Sequence, residues 1–203
     1  MAARHLKHYG YEPTVYYPKE GKNELYQVCT VYTCKSTRIP STNSISTIFK
    51  RLKTQLNTLA IPFTDDMTSE LSRSDLLIDA IFGFSFGGPL RDPFGSIITQ
   101  IENAKIPVLS VDAPSSWDIN SGPPSSGPGA NFMPQALISL TAPKPCVKFF
   151  KGRHFVGGRF LTTAIAQKYG LVCPAYEGID QVVEVFKDGD GEFRYAPKEE
   201  SKY

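Results

Sequence analysis

Two short apolar runs in the middle of the chain end abruptly in acidic, glycine, serine or proline residues. The first covers residues 75–82 and leads into the glycine-rich residues 83–89, and the second covers residues 106–111 and leads into Asp112. This pattern is typical of buried parallel strands that carry polar loops at their carboxyl ends. Residues 93–104 between them have apolar side chains at helical spacing. Because ligands of open α/β sheets bind beyond these strand ends, we expect Asp79, residues 83–89, Asp112 and Ser115 to converge on one site.

The remaining pattern predicts further helices and strands of the same kind. Helices are predicted over residues 2–9, 51–59 and 163–169, and strands over residues 13–17, 61–63, 136–142, 157–161 and 181–186. Residues 64–74 form a polar connection with a helical turn, and residues 121–129 form an exposed loop. We therefore predict one α/β domain over residues 1–190 and a charged, frayed tail over residues 191–203.

Residues 28–50 interrupt this pattern, with neither clear helical nor clear strand periodicity. If they are removed, Leu25, Leu52 and Leu56 fall at positions i, i+4 and i+8 on one helix face. We interpret the segment as an insertion, with a retained intron as the hypothesis, because a valine codon begins GT and a lysine codon can end AG. The alternative is a genuine surface loop, although long unstructured loops are uncommon inside compact domains. The chain also opens on a helix that feeds a strand, so we expect it to be shortened at this end.

Composition and charge argue against nucleic-acid binding, a membrane span and a secretion signal. The 203 residues have a net charge of +2 with mixed signs, and no dense basic cluster indicates nucleic acid as a partner. No run of 18 apolar residues predicts a membrane span, and the first ten residues lack the apolar core of a secretion signal. The 4 cysteines form no CxxC pair and have no metal-ligand spacing with the 3 histidines, so we expect free thiols.

Several polar side chains have both a functional and a structural interpretation. Asp79 either takes part in the site or caps a loop, and Asp112 is costly to bury without a partner, which favours function. Asp118 is a second acid of the site or an Asx turn, and we favour the turn. Lys144 either reaches a substrate phosphate or is a solvated loop charge. We expect His154 to be structural or on the surface, because no acid or cysteine lies near it in sequence.

The chain resembles one family closely. The matching strings are Ala3-Arg-His-Leu-Lys7, Tyr9-Gly-Tyr-Glu-Pro-Thr-Val-Tyr-Tyr-Pro-Lys19, Asp79-Ala-Ile-Phe-Gly-Phe-Ser-Phe86, Pro114-Ser-Ser-Trp-Asp118, Leu137-Ile-Ser-Leu-Thr-Ala-Pro-Lys144 and Gly157-Gly-Arg-Phe160. They resemble the NAD(P)H-hydrate epimerase family, whose domain is the YjeF N-terminal domain and whose animal members are also called apolipoprotein A-I-binding proteins. Apart from residues 28–50 and the tail, the resemblance covers nearly the whole chain.

The resemblance implies a Rossmann-like three-layer α/β/α sandwich with a mostly parallel sheet. It implies an isomerase that interconverts the R and S forms of NADHX and NADPHX, the hydrated nicotinamide nucleotides, for repair by a separate NAD(P)HX dehydratase. It also implies a homodimer, location in the cytoplasm or the mitochondrion, and one potassium ion per subunit held by Asp79 and Ser115. The implied substrate-binding residues are Gly83, Phe84, Ser85, Phe86, Gly87, Gly88, Pro89 and Asp112.

The chemistry of these residue types agrees with that reaction. Epimerisation requires the hydroxyl to leave, a cationic ring to form and water to return on the other face, and we assign the carboxylate role to Asp112. Trp117, Phe84 and Phe86 either stack on the substrate rings or line the pocket passively. The glycine-rich loop lets backbone N–H groups approach phosphate.

Two departures from the family keep other functions open. The family has an Asn-Asn-Gly-Gly-Asp-Gly loop ahead of the helix that begins here at Ala2, and Ser116 stands where many members have glycine. Because that loop holds the substrate's phosphates, the activity of the shortened chain is in doubt. The alternatives are a non-catalytic scaffold on the same fold and an inactive epimerase fragment. The N-terminal half of a fused epimerase–dehydratase is disfavoured, since no second glycine-rich domain follows.

Overall fold

A computed structural model describes residues 2–18, 30–35, 51–174, 176–187 and 193–195, and for residues 30–35, 51 and 52 it describes the backbone alone. Its strands form a nine-stranded sheet in the order β3-β1-β2-β4-β5-β6-β7-β8-β9. Their bounds are Glu12–Tyr16 (β1), Thr30–Lys35 (β2), Phe63–Thr64 (β3), Leu76–Ala80 (β4), Val108–Val111 (β5), Ala136–Leu140 (β6), Arg153–Gly157 (β7), Val182–Lys187 (β8) and Phe193–Tyr195 (β9).

The described sheet is mostly parallel, as predicted. Strands β4, β5, β6 and β7 pair in parallel, and so do β1 and β3. Only β2 and β8 run against the others, since each is antiparallel to both of its neighbours. The carboxyl ends of β4, β5, β6 and β7 therefore meet at one edge, which we call the strand-end edge.

Helices cover both faces of the sheet. They are Ala2–His8 (α1), Arg51–Thr58 (α2), Met67–Ser72 (α3), Phe94–Glu102 (α4) and Thr163–Tyr169 (α5), and a 3-10 turn covers Pro145–Phe149. Leu77 of β4 packs in a core cluster with Met67 of α3 and Ile98 of α4. Its neighbour Ile78 points to the opposite face and packs with Ala3 of α1. The predicted α/β/α sandwich is thus confirmed, with the alternation of β4 separating the two cores.

The central strand–helix–strand unit follows the predicted pattern. Ile97, Ile98 and Ile101 form the buried face of α4, and β4 pairs with β5 so that Asp79 lies opposite Ser110. Within the described residues, no helix has the length and apolar character needed to cross a membrane.

Strand β2 was not predicted. It lies between β1 and β4 and is paired on both edges, with Val31 opposite Tyr16 on one side and Asp79 on the other. Residues 30–35 are therefore a strand inside the sheet, which neither the insertion nor the surface-loop interpretation predicted. The β-branched and aromatic residues of Thr30-Val-Tyr-Thr33 were the missed signal. Residues 28, 29 and 36–50 lie outside the described residues, and the insertion stays a prediction.

Two boundaries differ from the predictions. The strand predicted over residues 157–161 is instead Arg153–Gly157, because Gly158 has a φ of +85° and ends the extended conformation. In the tail, which was predicted to be frayed, Phe193 pairs with Lys187 as part of β9. The other helices and strands that were predicted with bounds start and end within two residues of them.

Candidate active site

The strand-end edge gathers the polar residues that the sequence singled out. The loop after β4 contacts both of the other polar groups of the site, since Phe82 N donates to Ser115 Oγ at 3.0 Å and Phe84 N donates to Asp112 Oδ2 at 2.8 Å. Asp79, Asp112 and Ser115 are all buried. The predicted convergence on one edge is therefore what the structure shows.

Asp79 is a fully buried carboxylate stabilised by neutral donors. Its Oδ2 accepts hydrogen bonds from Ser110 Oγ at 2.8 Å and from Ser115 N at 2.9 Å, and its Oδ1 accepts one from Ser115 Oγ at 2.5 Å. Burial raises the pKa of Asp79 above its ordinary value, and the hydrogen bonds from Ser115 and Ser110 oppose this rise. No basic side chain among the described residues forms a salt bridge with it.

Ser110 was missed in the sequence. It lies inside the apolar run of β5 and is fully buried, and its register opposite Asp79 directs its hydroxyl to the carboxylate. A lone serine in a buried strand needs a hydrogen-bond partner, so its position was the available signal. The exact partner depends on strand register, which the sequence does not specify.

Asp112 is held in an unusual backbone conformation just after β5. Its φ is 73°, in the left-handed region that a non-glycine residue rarely adopts. Gly83 explains how its carboxylate fits, because a Cβ placed on Gly83 would lie 2.7 Å from Asp112 Oδ2. The glycine thus permits close approach of the loop after β4 to this carboxylate. Such outliers often occur at functional sites, which supports the assignment of Asp112.

Lys144 pairs with Asp112, an arrangement that neither sequence interpretation contained. Its Nζ lies 2.5 Å from Asp112 Oδ1, and its hydrogen bond is directed to the backbone oxygen of Leu140, also at 2.5 Å. The side chains of Lys144 and Asp112 are only 15% and 10% exposed. Lys144 is therefore not a solvated loop charge.

The loop over residues 83–89 is open to solvent at its centre. The ring of Phe84 is 66% exposed, whereas Phe86 stacks on Phe82 with ring centroids 4.5 Å apart. Gly87 and Gly88 have no neighbouring atom within 4 Å of an added Cβ. Phe84 is thus free to contact a ligand, while Phe86 packs beneath the loop.

Two other candidates are structural. Trp117 is buried in a core cluster and donates from Nε1 to the backbone oxygen of Phe132 at 3.1 Å, so it does not stack on a ligand. Asp118 accepts hydrogen bonds from Asn120 N and Ser121 N, which confirms the Asx turn, and these bonds lower its pKa.

A buried polar pair joins β6 and β7. Ser139 Oγ and His154 Nε2 are 2.9 Å apart, and both residues are buried. Burial, with the nearby charges of Lys144 and Lys187, lowers the pKa of His154 to about 4. Burial also raises the pKa of the Cys146 thiol to about 11. Both groups are therefore neutral at pH 7, and His154 is buried and not on the surface.

The implied potassium ion fits the donors around Asp79. Potassium prefers oxygen ligands, and a buried carboxylate with an adjacent hydroxyl supplies two of them together with a negative charge that lacks a cationic partner in the described part of the chain. Within residues 2–18, 51–174, 176–187 and 193–195, no group of three His, Cys, Asp or Glu side chains is suited to hold a metal ion.

Taken together, the mostly parallel sheet, the buried strand-end carboxylates and the open glycine-containing loop define a Rossmann-like α/β domain with a candidate ligand site at its strand-end edge. A family model described as YjeF-related protein N-terminus matches residues 1–146. The chain belongs to this YjeF N-terminal family.

Individual relatives agree with this membership. A protein of Aspergillus fumigatus named NAD(P)H-hydrate epimerase is 63% identical over 191 residues, which cover 94% of this chain and 70% of that protein. A protein of Schizosaccharomyces pombe with the same name is 50% identical over 190 residues, covering 91% of this chain and 69% of that protein. The crystal structure of the yeast protein YNL200c superposes with a TM-score of 0.71 at 35% identity, covering 90% of this chain and 70% of that one.

Proposed function

We propose that this chain is an NAD(P)H-hydrate epimerase, an isomerase that interconverts the R and S forms of NADHX and NADPHX. Relatives that are 63% and 59% identical over 94% of the chain have this name. The observation that carries the proposal is the contact of Asp112 with the loop after β4 at 2.8 Å, inside the segment that the family matches. It places a buried carboxylate beside an open, glycine-containing loop.

The carboxylate of Asp112 performs the chemical role in this proposal. When the C6–O bond of the hydrated ring breaks, the departing hydroxyl takes a proton from solvent, which Asp112 returns to solvent at the end of the cycle, and it leaves as water while the ring becomes a cation. The buried anion of Asp112 stabilises that cation. Water then adds to the opposite face of C6 and transfers its proton to a base, for which Asp112 is the available carboxylate. The R and S forms differ only in the face of C6 to which water adds. The same steps therefore run in both directions.

The loop over residues 83–89 binds the substrate in this scheme. Phe84 offers an exposed ring for contact with a planar group, and Gly87 and Gly88 leave room for a ligand beside the backbone. Backbone N–H groups in such a loop are suited to phosphate oxygens.

Potassium is proposed as the cofactor, with one ion per subunit. Asp79 and Ser115 would hold it through their oxygens, and its positive charge would compensate the buried carboxylate of Asp79. The ion supplies a fixed positive charge next to the substrate, and the chain's own residues provide the carboxylate, the loop and the enclosure.

The test is turnover of R-NADPHX, followed by adding the S-specific dehydratase that converts the S form to NADPH. We expect this chain, or a version with the N-terminal segment of the Aspergillus fumigatus relative joined ahead of Ala2, to produce NADPH, and the same protein with Asp112→Asn to lose most of that rate. If neither version turns over the substrate, the epimerase proposal is wrong for this chain. The non-catalytic scaffold then becomes the better account.

We also propose a homodimer that works with a separate NAD(P)HX dehydratase in the cytoplasm or the mitochondrion. The dimer is supported by exposed apolar side chains in and near α5, such as Phe160, Ile165 and Tyr169, since large apolar surfaces mark interaction sites. No residue of α5 is buried in the single chain. Light scattering of this chain and of Ile165→Glu is the measurement, with a dimer expected only for the unchanged chain. A monomer in both would contradict the proposal.

A further inference from the structure

The ion pair between Lys144 and Asp112 joins the ends of two neighbouring strands. Lys144 follows β6 and Asp112 follows β5, and their charged atoms are 2.5 Å apart in a buried setting. The ammonium is also tied to its own strand end through the backbone oxygen of Leu140. An ammonium that is fixed in this way is a poor ligand for a mobile phosphate, because it would first have to leave the carboxylate.

The backbone around Lys144 is rigid, which fixes the position of its side chain. Pro143 and Pro145 flank it, and Pro145 opens the 3-10 turn. Val147 N donates to the backbone oxygen of Lys144 at 3.0 Å, and Thr141 N donates to that of Gly157 at 2.9 Å. The segment presents Lys144 to Oδ1 of Asp112, whereas the loop after β4 contacts Oδ2.

Among the described residues, Lys144 is the basic side chain that forms a salt bridge with Asp112. The charge of Lys144 contributes to lowering the pKa of both His154 and Cys146, which places its ammonium inside the domain. Both of those groups are neutral at pH 7. Cys146 in the 3-10 turn has charge interactions with both Lys144 and Asp112, and His154 in β7 has one with Lys144. Asp118 acts in addition on Cys146, and Lys187 acts on His154.

We propose that Lys144 is a positioning residue for the reaction, which holds the Asp112 carboxylate in a fixed position so that it can act on the substrate. This inference rests on the proposed function. The Nζ atom of Lys144 lies 2.5 Å from Oδ1 and Phe84 N donates a hydrogen bond to Oδ2, so the carboxylate is held from both of its oxygens. Lys144 acts through Asp112 and not by contact with the reacting atoms.

The kinetic test compares the kcat and KM of Lys144→Met, Lys144→Arg and the control Lys148→Met. Lys148 is a matched control because its ammonium lies over the exposed ring of Phe149, away from Asp112. We expect Lys144→Met to lower kcat by roughly 10- to 100-fold with KM changed by less than about 3-fold, because an interaction of the transition state is lost. Lys144→Arg should recover most of the rate, and Lys148→Met should match the unchanged protein.

Two kinetic outcomes overturn the proposal. If Lys144→Met raises KM by more than about 10-fold and leaves kcat unchanged, Lys144 binds a substrate phosphate uniformly. If Lys144→Met behaves like Lys148→Met, the ion pair has no role in the reaction. An unchanged protein without turnover refutes the proposed function instead, so the two failures are distinguishable.

A second readout does not depend on turnover. Because the charge of Lys144 helps to lower the pKa of His154, we expect Lys144→Met to raise that pKa in a histidine NMR titration, and Lys144→Arg to leave it unchanged. The histidine spectrum also reports whether each variant is folded. If Lys144→Met is folded and the pKa of His154 does not move, Lys144 does not occupy the buried position, and the proposal is wrong.

Discussion

The ends of β4 and β5 carry two buried carboxylates whose surroundings are opposite. Asp79, at the end of β4, accepts hydrogen bonds from neutral serine groups and has no basic partner in the described structure. Asp112, after β5, pairs with the ammonium of Lys144 and has left-handed backbone geometry. A buried carboxylate without a basic partner is suited to a cation from solution, whereas Asp112 already has its own cationic partner. The difference supports the proposal that Asp79 binds a cation and that Asp112 acts on the substrate.

Replacing Asp112 should have the largest effect. Asp112→Asn keeps the acceptor for Phe84 N and the size of the side chain but removes the charge, so we expect kcat to fall by roughly 10²- to 10⁴-fold, the usual contribution of a general base. Steady-state kinetics with R-NADPHX measures it. Asp118→Asn is the matched control, because Asp118 is exposed and forms an Asx turn. A loss below about 3-fold in Asp112→Asn would remove Asp112 from the mechanism.

Replacing Asp79 should mainly affect stability and the potassium response. In Asp79→Asn, an NH₂ group faces donors such as Ser110 Oγ and Ser115 N, so we expect a loss of about 1–3 kcal/mol in the free energy of unfolding. We also expect potassium to raise the Tm of the unchanged protein but not that of the variant. Urea unfolding and thermal melts in potassium or in a large organic cation measure both effects. Equal potassium stabilisation of the two proteins would refute the assignment.

His154, whose pKa Lys144 helps to lower, predicts a pH dependence of stability for the region around Asp112. Its pKa is about 4 when folded and 6.5 when unfolded, so the unfolded state binds more protons between these values, and stability falls as pH decreases from about 6.5 to about 4. The expected loss is about 2–3 kcal/mol, with no further contribution from this group at lower pH. His154→Gln keeps a hydrogen-bonding side chain toward Ser139 without a titration, and urea unfolding at pH 7 and pH 4 gives the difference. Equal pH dependence in both proteins would contradict a buried neutral imidazole.

Replacing Ser116, which follows Ser115 in the loop after β5, should have the smallest effect. Its φ is 79° and its buried hydroxyl has no hydrogen-bond partner in the described structure. Ser116→Gly removes the left-handed strain, and after the backbone-entropy cost of glycine we expect a gain of about 0.5–1 kcal/mol. Ser116→Ala tests the hydroxyl alone, because it keeps the Cβ that causes the strain. Thermal unfolding measures both variants, and a gain in alanine equal to that in glycine would show that strain is not the cause.

The sequence predicted most strands of the sheet, the buried face of α4 and the convergence of polar residues at the strand ends, because each depends on local pattern. Apolar periodicity identified β4, α4 and β5, and the abrupt polar ends of the strands identified Asp79 and Asp112. The pairing of Lys144 with Asp112 and of Ser110 with Asp79 was not predictable, since each depends on register and on side-chain direction across neighbouring strands. Strand β2 was missed because its short β-rich run lies inside a longer segment without periodicity.

The potassium dependence of turnover tests the division between the two carboxylates most directly. The rate of R-NADPHX epimerisation is measured against potassium concentration for the unchanged protein, Asp79→Asn and Asp112→Asn. We predict that Asp79→Asn raises the half-saturating potassium concentration by about 10-fold or more, a change of about 1.4 kcal/mol in ion binding, and recovers rate at high potassium. Asp112→Asn should keep the half-saturating concentration and remain slow throughout. The reverse pattern, with the potassium response altered by Asp112→Asn and unaffected by Asp79→Asn, would contradict the account.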